Sequence, residues 1–190
     1  MVNPMPERVA LFVDSANMHH ACKRVGYYID WRKARDHFSQ DRVFTGAFFY
    51  YAVPPNVEPE RQRFLDFLSY NGYIVRTKQL RTVPDGQGGE QFQRADVGVD
   101  IALDMLSTAD HWDTAFLFSG EGDFNRLVEA LRARGKRVHV VTSQGMLARE
   151  LAYAADKPVF WLEDLERFIG RTDRRPEKQD LMEHETRVEE

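Results

Sequence analysis

The sequence predicts an α/β fold, a three-layer α/β/α sandwich around a central parallel sheet. Short apolar runs alternate along the chain with helical patterns. The runs are apolar almost throughout, as strands covered on both faces must be. A chain of 190 residues that is 43% hydrophobic buries such a core without disulfides or structural zinc. Its one cysteine, Cys22, rules out a disulfide framework and a Cys-based zinc site, and suits a reducing compartment.

The elements follow in order. Arg8–Val13 reads as a buried strand, and Asp14–Arg24 as the helix after it. Asp30–Phe38 is a second helix with Asp30 as its N-cap. Arg42–Val53, rich in aromatic and β-branched residues, is the next strand, ended by Pro54-Pro55. Pro59–Tyr70 carries Phe64, Leu65 and Leu68 at helical spacing and stops at Asn71-Gly72. Tyr73–Leu80 is a third strand, and the PDGQGGE stretch within Val83–Glu90 a mobile loop. Asp96–Ser107 is a helix, Thr114–Phe118 a strand, and Asp123–Arg134 a helix capped by Gly135. Lys136–Thr142 is a strand, Gly145–Ala154 a helix, Val159–Trp161 a short strand and Leu162–Phe168 the last helix.

The folded domain is expected over residues 1–170. The tail, 171–190, holds five Arg/Lys, seven Asp/Glu and no aromatic residue, too little apolar surface to offset ordering entropy. A formal net charge of -4 excludes a strongly basic nucleic-acid coat and leaves room for a local basic patch. No apolar run reaches the roughly 18–20 residues that span a bilayer, and no small-residue cleavage pattern marks a signal peptide. A soluble, cytoplasmic protein is the expectation.

In parallel α/β sheets ligands bind beyond the carboxyl ends of the strands, at the point where strand order reverses. The first strand ends in Asp14-Ser15-Ala16-Asn17, and the Thr114–Phe118 strand in Ser119-Gly120-Glu121-Gly122-Asp123. Between them one helix carries Asp96, Asp100 and Asp104, whose i, i+4, i+8 spacing stacks three carboxylates along one face. Like charges at this spacing destabilise a helix, so the face needs a partner. Asp96 and Asp123 also fit the bland role of an acid at a helix N-terminus. Asp14, directly after an apolar strand, is harder to read as a surface charge. Carboxylates converging at one sheet edge suit a hard divalent cation, Mg²⁺ or Mn²⁺, which takes oxygen ligands and serves phosphoryl displacement. Asn17 and Ser119 are candidate contacts to a bound phosphate.

At these residues the chain resembles the NYN domains of the LabA-like group, relatives of the PIN-domain nucleases. The resemblance is carried by LFVDSANM (Leu11–Met18), VGVDIALDML (Val97–Leu106) and LFSGEGDFNRLVEAL (Leu117–Leu131), in the family's order. It implies a PIN-like sandwich and metal-dependent hydrolysis of RNA, single-stranded RNA favoured. It implies catalytic roles for Asp14, Asp100, Asp123, Glu121 and Asp96, with Asp14, Asp100, Glu121 and Asp123 as metal ligands. Asn17 and Ser119 would contact substrate. Two departures stand out. Glu121 occupies the place of the first Asp of the family's SGDxDF signature, and the lysine that usually precedes the VD pair is missing. Asp100 and Asp96 both compete for the middle acid. PIN-like domains often pair, so a homo-oligomer is also open.

Other features have bland readings beside functional ones. His19-His20 could shuttle protons but more often decorate a helix. Phe44, Phe48, Phe49, Tyr50 and Tyr51 could stack bases, Tyr50 or Tyr51 best of all, yet in a strand covered on both faces they read as core. Arg76, Lys78 and Arg81 form either a phosphate track or a solvated edge. No P-loop, dinucleotide-binding glycine motif, G-x-S-x-G or H-E-x-x-H occurs. Two functions remain: a metal-dependent ribonuclease, and a non-catalytic RNA-binding or regulatory module that keeps the acidic pocket.

Overall fold

In the first strand, β1 (Arg8–Asp14), every residue from Val9 to Asp14 is buried. Its side chains alternate between two cores: Val9, Leu11 and Val13 enter one, Ala10 and Phe12 the other. That alternation requires helices on both faces. The computed structural model, which describes residues 5–84, 90–93 and 95–172, supplies them. A six-stranded, wholly parallel sheet runs in the order β3-β2-β1-β6-β7-β8. The other strands are β2 (Val43–Val53), β3 (Tyr73–Gln79), β6 (Thr114–Phe118), β7 (Arg137–Thr142) and β8 (Asp156–Trp161).

One face is covered by α1 (Ser15–Val25), α2 (Trp31–Ser39), α3 (Pro59–Tyr70) and α7 (Leu162–Ile169). Met18, Trp31, Phe38, Leu68 and Leu165 pack there against Phe49, Phe116 and Phe118. The other face is covered by α4 (Gly98–Ser107), α5 (Asn125–Ala133) and α6 (Arg149–Ala154). Phe12 lies at its centre, stacked on Phe48 at 5.0 Å and edge-on to Trp112 at 6.1 Å. The expected three-layer α/β/α class is therefore the observed one.

Local chemistry explains the boundaries. Asp30 caps α2 by accepting from the N–H groups of Arg32 and Lys33, as its sequence position predicts. Gly26 ends α1 at φ 81°, its N–H bonded to the Cys22 carbonyl. Only a residue without a Cβ takes that conformation at little cost. At the amino ends of the strands, Arg8 forks onto Asp113. Glu7 binds Arg42, Arg137 and Thr114 there. That edge is tied by ion pairs, whereas the carboxyl edge holds the conspicuous acids.

Four boundaries differ from expectation. The stretch read as a loop is flanked by an antiparallel hairpin, β4 (Arg81–Pro84) with β5 (Glu90–Gln93); residues 85–89, where mobility was expected, lie outside the described residues. The helix expected from Gly145 begins only at Arg149. The backbone N–H of Met146 bonds to Ser143, and that of Ala148 to Gly120, so residues 143–148 form a turn instead. The helix expected from Asp123 opens as a 3₁₀ turn, Gly122–Phe124, before α5. β8 starts at Asp156 rather than Val159, because an edge strand tolerates Pro158. Most of the tail, 173–190, lies outside the described residues. Among the described residues no helix is long and apolar enough to cross a membrane.

Candidate functional site

The strand order reverses between β1 and β6, where α1 leaves on one face of the sheet and α5 on the other. Asp14 closes β1 at this point and is only 2% exposed. It is also the N-cap of α1. Its Oδ1 accepts from the Asn17 N–H at 3.2 Å, and its Oδ2 from the Ser119 hydroxyl at 3.3 Å. Asn17 and Ser119 are themselves buried. The Asn17 Oδ1 accepts from the Gly120 N–H at 2.9 Å, and the Glu121 N–H donates to Ser119 Oγ at 3.3 Å. A buried carboxylate is tolerated when several donors face it. Here the donors come from two segments more than a hundred residues apart, so this network sews the end of β1 to the end of β6.

Gly120 is required by close approach. A Cβ there would collide with the Met146 backbone oxygen and lie 2.9 Å from Thr142 Oγ1. The turn after β7 therefore presses directly on the turn after β6. That turn is held by Glu163, which accepts from the Ser143 hydroxyl at 3.0 Å and the Gln144 N–H at 3.1 Å. Sequence reading assigned no role to Gly120 or Glu163, because neither contact has a sequence period.

Asp100 and Asp104 lie four apart on α4, and β3 answers their charge, whereas Asp96 falls before the helix, so the expected stack of three is a stack of two. Lys78 Nζ lies 2.9 Å from Asp100, and Arg76 Nε 3.1 Å from Asp104. Two residues of strand advance about 6.6 Å and four residues of helix about 6 Å, so the cations and the acids fall into step. Asp104 also accepts from the Tyr50 hydroxyl at 3.0 Å. Burial first, then the charge of Asp104, pushes the Tyr50 phenol far above its ordinary range, so Tyr50 stays protonated and donates. Asp104 in turn raises the Arg76 guanidinium. Asp96 is exposed and accepts from the Gly98 N–H at 2.8 Å, the capping role already open to it.

Asp123 and Glu121 follow on the turn after β6. Asp123 is exposed on the 3₁₀ turn, whose Phe124 is buried against the α4 side of the core. It makes no hydrogen bond or ion pair to the other described residues. Glu121 is half-buried beside it. The structure thus joins Asp14, Asn17 and Ser119 in one network and places Asp100 in an ion pair. Among the described residues no group of three or more His, Cys, Asp or Glu side chains is arranged to hold a metal ion. Tyr50 and Tyr51 are 0% and 2% exposed, so they are core and present no stacking face. His19 is buried and His20 exposed. Cys22 is buried, and desolvation pushes its thiol up to about 11.

Residues 8–163 match the NYN domain family. The chain is 38% identical over 173 residues to the "low amplitude and bright protein LabA" of Synechococcus elongatus, covering 89% of this chain and 91% of the relative. It superposes on the crystal structure of VPA0982, a protein of unknown function from Vibrio parahaemolyticus, with a TM-score of 0.74 and 26% identity. That match covers 89% of this chain and 99% of the other. The match to the domain spans the whole β1–β8 sheet, including Asp14 and the Ser119–Asp123 turn. This chain belongs to the NYN domain family, in its LabA-like group.

Proposed function

We propose that the chain is a metal-dependent ribonuclease whose reaction centre is the carboxyl edge of β1 and β6. The single observation that carries this reading is the buried Asp14, held from two sides by Asn17 and Ser119 where the strand order reverses. Membership of a family related to the PIN nucleases makes RNA phosphodiesters the substrate class to test.

The donors at this edge are oxygens, the chemistry a hard divalent cation prefers. Their arrangement suits a cation taken by one or two carboxylates, with water and substrate phosphate completing its shell. Asp14 is the fixed ligand in this reading and Asp123, exposed on its turn, the second. Glu121 is next but one in sequence to Asp123; Asp100 is on α4, where Lys78 already answers it, and Asp96 precedes that helix. The cation, when bound, supplies positive charge at the phosphoryl oxygens and a more acidic water. The chain's own residues orient. Asn17 fixes Asp14 and the Gly120 N–H, and the Ser119 hydroxyl holds the other Asp14 oxygen.

The test is cleavage of single-stranded RNA in Mg²⁺ or Mn²⁺ by wild type, Asp14→Asn and Asp123→Asn. Loss of cleavage in both variants, with the fold intact by circular dichroism, supports the reading. Undiminished cleavage by Asp14→Asn rejects this site. One observation favours the second reading, a non-catalytic RNA-binding or regulatory module. Asp100 is neutralised by Lys78, and no three acids converge among the described residues. That reading predicts RNA binding without turnover in either metal.

A further inference from the structure

Arg24 differs from the arginines that acids hold, as do Arg149 and Arg167, which lie over Tyr153 and Phe168. Arg8, Arg35, Arg42, Arg76, Arg132 and Arg137 each lie against a carboxylate. Arg24 is exposed and meets no acid among the described residues. It is nevertheless not loose. Its Nη2, Cζ and Nε atoms all lie within 2.6 Å of where a Cβ on Gly145 would stand. The guanidinium plane therefore lies flat over Gly145, in a seat that no other residue type would leave open.

That seat is part of the carboxyl rim of the sheet. Gly145 is in the turn after β7, whose Met146 presses on Gly120. Gly120 receives the Asn17 side chain, and Asn17 donates its N–H to Asp14. Arg24 and Asp14 are thus joined by one continuous run of contacts, at opposite ends of α1 and about 15 Å apart along its axis. Glu163 of α7, which holds that turn, is committed to Ser143 and Gln144. A guanidinium stacked on one face keeps its in-plane N–H fork outward, the geometry that matches a phosphate bidentately.

We propose that Arg24, seated on Gly145, grips the phosphate backbone of the RNA strand that reaches Asp14, a few nucleotides from the reacting bond. The inference rests on the RNA reading of the site. The ligand is a nucleic-acid phosphodiester, held without regard to base.

The test is anisotropy of a labelled single-stranded RNA with the full chain, titrated across salt concentrations in EDTA so that turnover stops. Arg24→Gln should weaken binding about tenfold, the scale of one charged hydrogen-bonded contact. It should also flatten the slope of log affinity against log salt by about 0.7, one phosphate's share on a single strand. Gly145→Ala keeps the charge but unseats it, and should weaken binding in the same direction and less. Arg63→Gln, which removes one equal charge from an exposed Glu60 pair on α3, should leave the slope near wild type. If Arg24→Gln matches wild type or Arg63→Gln while wild type binds RNA, Arg24 is not the grip and the nuclease reading stands. If wild type binds no RNA, both fall.

Discussion

Asp14 has two roles in this structure, and two substitutions should separate them. As the N-cap of α1 it accepts one N–H bond, and as the strand-end carboxylate it accepts the Ser119 hydroxyl. Asparagine keeps an oxygen for the Asn17 N–H. Its amide offers the Ser119 hydroxyl, which both donates and accepts, a reversed bond. The charge disappears, and with it the desolvation cost of a carboxylate that is 2% exposed. Asp14→Asn should therefore change unfolding free energy by less than about 1 kcal/mol. Alanine removes the cap, which costs about 0.5–2 kcal/mol, and leaves a buried hydroxyl unsatisfied, about 1–3 kcal/mol more. Asp14→Ala should fall about 2–4 kcal/mol below wild type. The assay is urea unfolding with coincident fluorescence and circular dichroism signals, comparing midpoints at a common slope. Equal losses in the two variants would refute the reasoning, because the charge itself would then be holding β1 to β6.

Further outcomes follow from other residues. Gly120→Ala should destabilise by about 1–3 kcal/mol or prevent folding, since its Cβ meets the Met146 backbone, which has nowhere to move; urea midpoints read it. Phe12→Ala should cost about 3–5 kcal/mol, the usual loss for a buried phenylalanine, in the same assay. The Arg8 guanidinium holds the Asp113 carboxyl down at about 2. A depressed carboxyl contributes stability above its unfolded pKa, about 4, and loses it as pH falls through about 2. Both partners are about 40% exposed, so this is worth under about 1 kcal/mol, and Asp113→Asn should show a flatter acid limb in thermal melts. Burial raises the Cys22 thiol to about 11, so a thiol reagent at pH 8 should modify it slowly in the native protein and quickly in denaturant.

The sheet was legible because Val9–Val13, Ala47–Val53 and Ala115–Phe118 are unbroken apolar runs, the pattern of doubly covered strands. Asp30 and Gly26 behave as their caps predict, because capping is local chemistry. What escaped is nonlocal. Nothing in QLRTV or EQFQ announces that β4 and β5 pair. The turn at 143–148 is irregular because its N–H of Ala148 is taken by Gly120, twenty-eight positions earlier. At the site, the position of Asp14 after an apolar strand pointed to the buried network that ties β1 to β6. The i, i+4 acids Asp100 and Asp104 lie on α4 as their spacing predicts, and their ion-pair partners come from β3. Arg76 and Lys78 lie two apart on one face of β3, and the match between that spacing and the pitch of α4 was the signal available. The sequence could not show that Asp123 stands on a 3₁₀ turn, Gly122–Phe124, rather than on the first turn of α5.

The measurement closest to the central claim is Mn²⁺ titration of wild type and Asp14→Asn, alone and with a single-stranded RNA whose linkages are phosphorothioates to slow turnover. The account predicts weak binding by the free wild-type protein and markedly tighter binding with RNA present, because substrate phosphate completes the cation's shell. Asp14→Asn should show neither. Equal Mn²⁺ binding by wild type and Asp14→Asn, with or without RNA, would contradict the assignment of Asp14 as the point where cation and phosphate meet.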